Sequence, residues 1–338
     1  MAQTLAFSVV AGCEPARFAR LGQALLAQCA QPTLLLAELS GAAVMLGRFQ
    51  RAPSALHVER ARADGLALVR RSGGGRALAA GEGSLGVLLA LPALGHLLPK
   101  PVGADKVLNR YLRGLMAGLT LAGAGNGAHY FGRDFLSARQ CELARVSQDG
   151  APAGPVLVEA VVAVTRPLAL PHGLPAYPPH PDPRAAGPPP VTLAALAGRR
   201  PTLEQLADAI AAGHARVYGC PVERRELTLA DGPAPEPPAL EQETGWAQSG
   251  PAPVPIGFVE ALVRADASGT LQGARLRGDF IAPAFAVAAL ERALAGCPLA
   301  HDEIGRRVDA AFRGPGATIV GVVKLETLAE RVLSAARV

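Results

Sequence analysis

Lysine is nearly missing from this chain: of 33 basic residues in 338, three are lysines, Lys100, Lys106 and Lys324, so chemistry that needs an ammonium has few candidates. Paired cysteines are missing too. Cys13, Cys29, Cys141, Cys220 and Cys297 form no CxxC pair, which argues against a zinc site or a disulfide framework and leaves most of them as small core residues. No run approaches the roughly 18 uninterrupted apolar residues of a membrane span. The start MAQTLAFSVVAGCEP lacks the basic head and apolar middle of a secretory signal, so a cytoplasmic location with no membrane partner is expected. Charge is sparse as well. Only 18% of residues are charged and 4% aromatic, and the arginines behind the net charge of +5 are dispersed, which argues against a nucleic-acid partner.

Half of the residues are hydrophobic, ample for the core of one large or two ordinary domains. The stretch from Leu66 to Pro92 organises the rest: an apolar run, Arg70 and Arg71, the triplet Gly73, Gly74 and Gly75, then a second apolar run. It reads as strand, loop, strand. Successive free N–H groups in such a loop form an anion-binding concavity with guanidinium charge at its rim, whose natural guest is a phosphate or carboxylate. A glycine-rich hairpin loop without a ligand is the other reading.

In chain order, Thr4–Val10 reads as a strand and Ala16–Cys29 as a helix, while Leu34–Leu39 and Ala43–Phe49 read as a strand pair across Ser40 and Gly41, ending in the polar tip Gly47, Arg48 and Gln50. Apolar residues recur with helical period from Ala104 to Leu121, and Val156–Val164 is a strand. The proline-dense run from about 170 to 190 is expected to be a surface loop or partly disordered insertion, with His172 and His180 unsuited as ligands. Helices follow at Leu193–Ala197 and Leu203–Tyr218, then a strand at Arg224–Leu229. A second Pro-rich stretch, 236–255, reads as a linker to a small α+β unit over 256–338.

These landmarks together resemble the lipoate–protein ligases of the biotin/lipoate ligase superfamily. LGRFQ is similar to that family's glycine-arginine-x-glutamine strand end, RRSGGG to its loop over lipoate and nucleotide phosphates, and GRDFLSARQCELARVSQ to its lysine-bearing segment. RLRGDFIAP followed by ALERALAG is similar to the accessory domain's GDFF strand and helix. The resemblance implies an α/β (α+β) fold. A mixed β-sheet flanked by helices would form a catalytic-type domain over 1–235, its glycine loop covering an acyl tunnel, with a smaller accessory domain after the linker. It implies lipoate or octanoate as substrate, ATP and Mg²⁺, a lipoyl-adenylate, and transfer to a lysine of a lipoyl carrier domain of a 2-oxoacid dehydrogenase or glycine-cleavage protein, by a monomer. Arg48, Arg70, Arg71, Ser72, Gly73, Gly74, Gly75 and Ser84 would bind substrate and nucleotide.

The chain departs from the family at the lysine. Glu142, or Cys141 within one residue, stands in its place; Leu78, Ala79 and Ala80 replace the usual histidine region, and Ser84 stands near the family's asparagine. Three readings stay open. The ligase activity survives with Arg133, Arg139 or Arg145 supplying the charge; or Cys141 carries a thioester in an octanoyl or lipoyl transferase; or the chain is a non-catalytic protein that keeps the acyl pocket or carrier surface.

Overall fold

The computed structural model describes residues 3–100, 102–229, 245–314 and 316–337. Among them an eight-stranded mixed sheet runs, edge to edge, through Val222–Arg224, Leu5–Cys13, Thr33–Leu39, Ser84–Leu91, Val156–Ala163, Cys141–Gly150, Phe135–Ala138 and Ala128–Tyr130. Leu5–Cys13 is parallel to both of its neighbours, and the other pairings are antiparallel. The central strands are apolar on both faces, SLGVLLAL and VLVEAVVA, because both faces are covered.

One face carries helices Val107–Leu121 and Leu203–Tyr218, which cross at glycines: a Cβ on Gly213 would lie 2.3 Å from the Gly118 nitrogen. The second helix opens with a capping box, Thr202 and Gln205 each closing on the other's backbone N–H. The opposite face carries helix Pro15–Gln28 and a three-stranded sheet in the order Ala67–Arg70, Ala42–Leu46, Leu78–Gly81. Leu35, Leu88, Leu157, Phe18, Met45 and Leu78 close the core between these layers.

The expected strand pair across Ser40 and Gly41 does not form. Thr33–Leu39 joins the large sheet and Ala42–Leu46 the small one, so the two diverge at the turn. The run after the glycine triplet is likewise split, Leu78–Gly81 pairing beside Ala42–Leu46 and Ser84–Leu91 entering the large sheet. The strand expected at Arg224–Leu229 is the shorter Val222–Arg224.

The C-terminal part builds a second core on a four-stranded sheet, Ala247–Gln248, Ala252–Val254, Gly257–Ala265 and Leu271–Gly278, packed by helices Ala284–Leu294, His301–Arg313 and Glu326–Ala335. Of the linker read at 236–255, residues 236–244 lie outside the described residues, and its last part supplies two short strands of this sheet. No helix among the described residues is long and apolar enough to cross a membrane.

Candidate functional site

The glycine loop is a junction between layers. Beneath it, Ser72 donates to the Ala19 carbonyl at 3.3 Å, and a Cβ on Gly22 would fall 2.5 Å from Ser72 Oγ, so helix Pro15–Gln28 fits because it presents a glycine there. Beside it, a Cβ on Gly73 would lie 2.2 Å from Ser147 Oγ. Above it, Gly75 N–H donates to the Phe280 carbonyl at 2.8 Å.

The GRFQ and GDF landmarks meet at this junction. Phe49 and Phe280 stack with ring centroids 4.8 Å apart, and Gly278 N–H donates to the Phe49 carbonyl at 2.9 Å. Gln50 Oε1 accepts from Gly47 N–H at 2.8 Å while its amide donates to Asp279 at 2.6 Å. Asp279 also accepts from Phe258 N–H at 3.0 Å. Burial pushes its carboxyl up to about 7, against the pull of Phe258 N–H, Arg76 and Gln50.

The two arginines of RRSGGG point into protein. Arg70 donates to the carbonyls of Gly47, Arg48 and Gln50 at 3.2, 3.0 and 2.6 Å, holding the GRFQ turn. Arg71, fully buried, donates to the carbonyls of Gly74 and Arg76 at 2.8 and 2.9 Å and faces Glu159 at 3.8 Å. Arg48, half-exposed, pairs with Asp149 at 3.3 Å, and Asp149 in turn accepts from the first N–H of helix Ala284–Leu294 at 2.8 Å. Ser84 lies elsewhere, in a separate cavity of about 250 Å³ with Glu38, Glu82, Thr165 and Arg200.

Next to the loop, on its Arg76 side, opens a cavity of about 390 Å³. Its apolar walls are Ala55, Leu168, Leu170, Tyr177 and Phe258 with prolines 175, 178, 188 and 190; its polar end is Arg76, Arg145, Glu142, Gln50, Asp279 and His180. The proline-dense run, expected as a surface or disordered segment, is the wall of this cavity. Pro175 bridges to Leu56, Ala176 N–H donates to the Ala55 carbonyl, and Pro189 and Val191 clasp both sides of the Glu142 peptide. His180 accepts from Asp182 N–H and lies 3.1 Å from the Val254 carbonyl.

At the polar end four charges interlock. Arg76 donates to both oxygens of Asp134, at 2.8 and 2.9 Å, and to the carbonyls of Ala185 and Ala186 in the proline-dense wall. Arg145 donates to Asp134 at 3.2 Å and to Glu142 Oε1 at 2.6 and 3.1 Å. Burial would raise the Asp134 carboxyl, but Arg76 and Arg145 outweigh it and hold it well below the usual carboxylate range. Glu142 therefore stands at the cavity already bonded to a guanidinium. Cys141 is its neighbour on a strand, where successive side chains take opposite faces, and it is not among the cavity's lining residues. Arg76 and Asp134 escaped the sequence reading. The signal for Arg76 was a lone arginine between the triplet and an alanine-rich strand, GGGRALAAG.

No family model and no curated protein matches the sequence. Solved structures do. LipL1 of P. falciparum in complex with lipoate aligns at TM-score 0.69 and 12% identity over 97% of this chain and 99% of that one. This is the lipoate–protein ligase fold. The bi-partite lipoate protein ligase of Thermoplasma acidophilum, whose structure includes its E2 lipoyl domain, aligns at TM-score 0.54 and 14% identity over 68% of this chain and 88% of that one. A lipoate-protein ligase A bound with ATP aligns at TM-score 0.50 and 14% identity over 68% and 90%. The likeness to LipL1 spans both cores, so the lipoate–protein ligase fold here includes the C-terminal sheet and its helices.

Proposed function

We propose that the protein binds a carboxylate-headed acyl compound of the lipoate or octanoate class in the 390 Å³ cavity and does not ligate it. The observation that supports this is the Arg145–Glu142 pair at 2.6 Å: Glu142 is the residue that, with Cys141 as its alternative, stands for the family's lysine in the sequence reading, and its carboxylate is already paired with a guanidinium. The cavity is of ligand size and has the apolar walls and few convergent polar groups of a binding site. Its cations are both spoken for. A ligand carboxylate would enter by exchanging with Glu142, the member of the cluster at the cavity surface, while Asp134 stays beneath. A lipoyl carrier domain is the protein partner this reading takes over from the family resemblance, in keeping with the E2 lipoyl domain of the archaeal relative.

ATP and Mg²⁺ fit the residues poorly. The glycine-loop N–H of Gly75 is engaged by Phe280, Arg70 and Arg71 are turned into protein, and Asp134 and Glu142 are held by guanidinia rather than presented to a cation. Of the arginines that the retained-ligase reading names, Arg145 lines the cavity and Arg133 and Arg139 are not among its lining residues; Arg76, which that reading does not name, lines it too, and the two guanidinia together would have to replace one ammonium.

Calorimetry with lipoate and octanoate tests the proposal. Wild type should bind. Arg145→Ala should weaken binding about 10- to 100-fold, the worth of a charge-assisted hydrogen bond, and Glu142→Gln should tighten it by removing the competitor. Incubation with ATP, Mg²⁺ and lipoate should give no acyl-adenylate by mass spectrometry. Adenylate that vanishes in Arg145→Ala makes the protein a ligase; ATP-independent transfer lost in Cys141→Ser makes it a transferase.

A further inference from the structure

One of the two readings of the sequence sets an anion in the glycine loop, and the fold supplies one of its own. Glu159 sits mid-strand in VLVEAVVA, opposite Leu88 on one neighbour and Ser147 on the other, 1% exposed. A carboxylate at the centre of an otherwise apolar strand is costly to bury, so something must hold it there. Arg71 faces it from 3.8 Å, with its own side chain 0% exposed, and the first half of the loop lies against the neighbouring strand, where a Cβ on Gly73 would fall 2.2 Å from the Oγ of Ser147, the residue opposite Glu159. A buried guanidinium at the glycine loop is the partner expected for a bound phosphate there.

The fit is loose in a telling way. Arg71 Nε and Nη1 and both Glu159 oxygens make no hydrogen bond of ordinary length within the protein. Arg71 spends Nη2 on the loop carbonyls of Gly74 and Arg76 and so shapes the loop around itself, while the rest of its guanidinium is aimed at Glu159. The seat is shut from outside by Ser147 against Gly73 and by the Phe280 carbonyl against Gly74 and Gly75.

We propose that Glu159 is a built-in anion occupying the anion seat of the glycine loop, so that the loop neutralises a side chain of its own sheet and takes no external phosphate or carboxylate. The loop is thereby a fixed structural element, and anion recognition is left to the Arg145 end of the cavity. This goes beyond the acyl-binding reading and is tested without an acyl ligand, so either can fail alone.

The test is chemical rescue. Glu159→Ala should lower the melting temperature and open a space beside Arg71; formate should restore several degrees to this variant, whereas formamide at equal concentration should not, and neither should shift wild type comparably. If Glu159→Ala does not fold in plain buffer, the yield on refolding in formate against formamide reads the same quantity. In parallel, wild type titrated with inorganic pyrophosphate should give no heat at millimolar concentration. Equal response to formate and formamide overturns the proposal. So does saturable pyrophosphate binding by wild type that Arg71→Met removes.

Discussion

Gly74→Val should destabilise the protein by about 3 kcal/mol or more with no ligand present, the range of forced overpacking at a site that cannot relax. A Cβ on Gly74 would lie 2.0 Å from the Phe280 carbonyl oxygen and 3.0 Å from Ile281 Cα. Both are backbone atoms, so no rotamer change relieves the clash. Pushing them away also breaks the Gly75–Phe280 hydrogen bond and strains the Phe49–Phe280 stack, so the C-terminal sheet should separate from the loop. The single tryptophan, Trp246, lies between Arg264 and Arg275 on that sheet and reports its environment by fluorescence during denaturation. Gly198→Ala is the control: unlike Gly74 it has positive φ, at 68°, yet nothing lies within 4 Å of its Cβ position, so it should cost only about 1 kcal/mol. A Gly74→Val protein as stable as wild type that merely lost acyl binding would mean that the loop faces ligand rather than Phe280.

That contrast shows what the sequence could and could not disclose. The triplet was legible as a place where backbones approach closely, because glycine is the residue that permits it; what approaches is a long-range fact, and here it is residue 280. Strand periodicity marked Leu34–Leu39 and Ala43–Phe49 as extended, which holds as far as Leu46, where the GRFQ turn begins, but it carries no partner information, so a hairpin was expected where the chain passes between two sheets. The proline-dense run has no period at all. Its role as a cavity wall comes from carbonyls at 185 and 186 bonding Arg76, and backbone acceptors are invisible in side-chain composition. Two charged residues in apolar surroundings, Arg76 and Glu159, were the readable signals passed over. Glu159 is buried and Arg76 mostly so, and a charge taken out of water implies a partner.

Asp279 gives the stability its pH dependence. Its carboxyl rises from 3.8 to about 7 on folding because it is fully buried between Gln50 and Phe258. The sign follows from proton counting. Between about pH 4 and pH 7 the native state holds a proton on Asp279 that the unfolded chain has released, so stability falls as pH rises through this window and is fully lost to this group above the folded value. Three units at about 1.4 kcal/mol each make the whole effect about 4 kcal/mol. Arg76, Asp134, Glu142, Arg145, His180 and Tyr177 face or neighbour the same cavity end, so the slope of wild type alone does not isolate Asp279. The difference from Asp279→Asn does. Asparagine cannot ionise, so its denaturation midpoint should stay level while wild type falls between about pH 4 and pH 7; the two curves should cross near about pH 4.5, and above neutrality the variant should be the more stable by about 3 kcal/mol. Its amide sets one donor against the Gln50 amide, whose oxygen is held by Gly47, so the variant should start about 1 kcal/mol lower at acid pH. Parallel curves across this range would show that the carboxyl stays ionised in the fold, held by Gln50 and Phe258 strongly enough to overcome its burial.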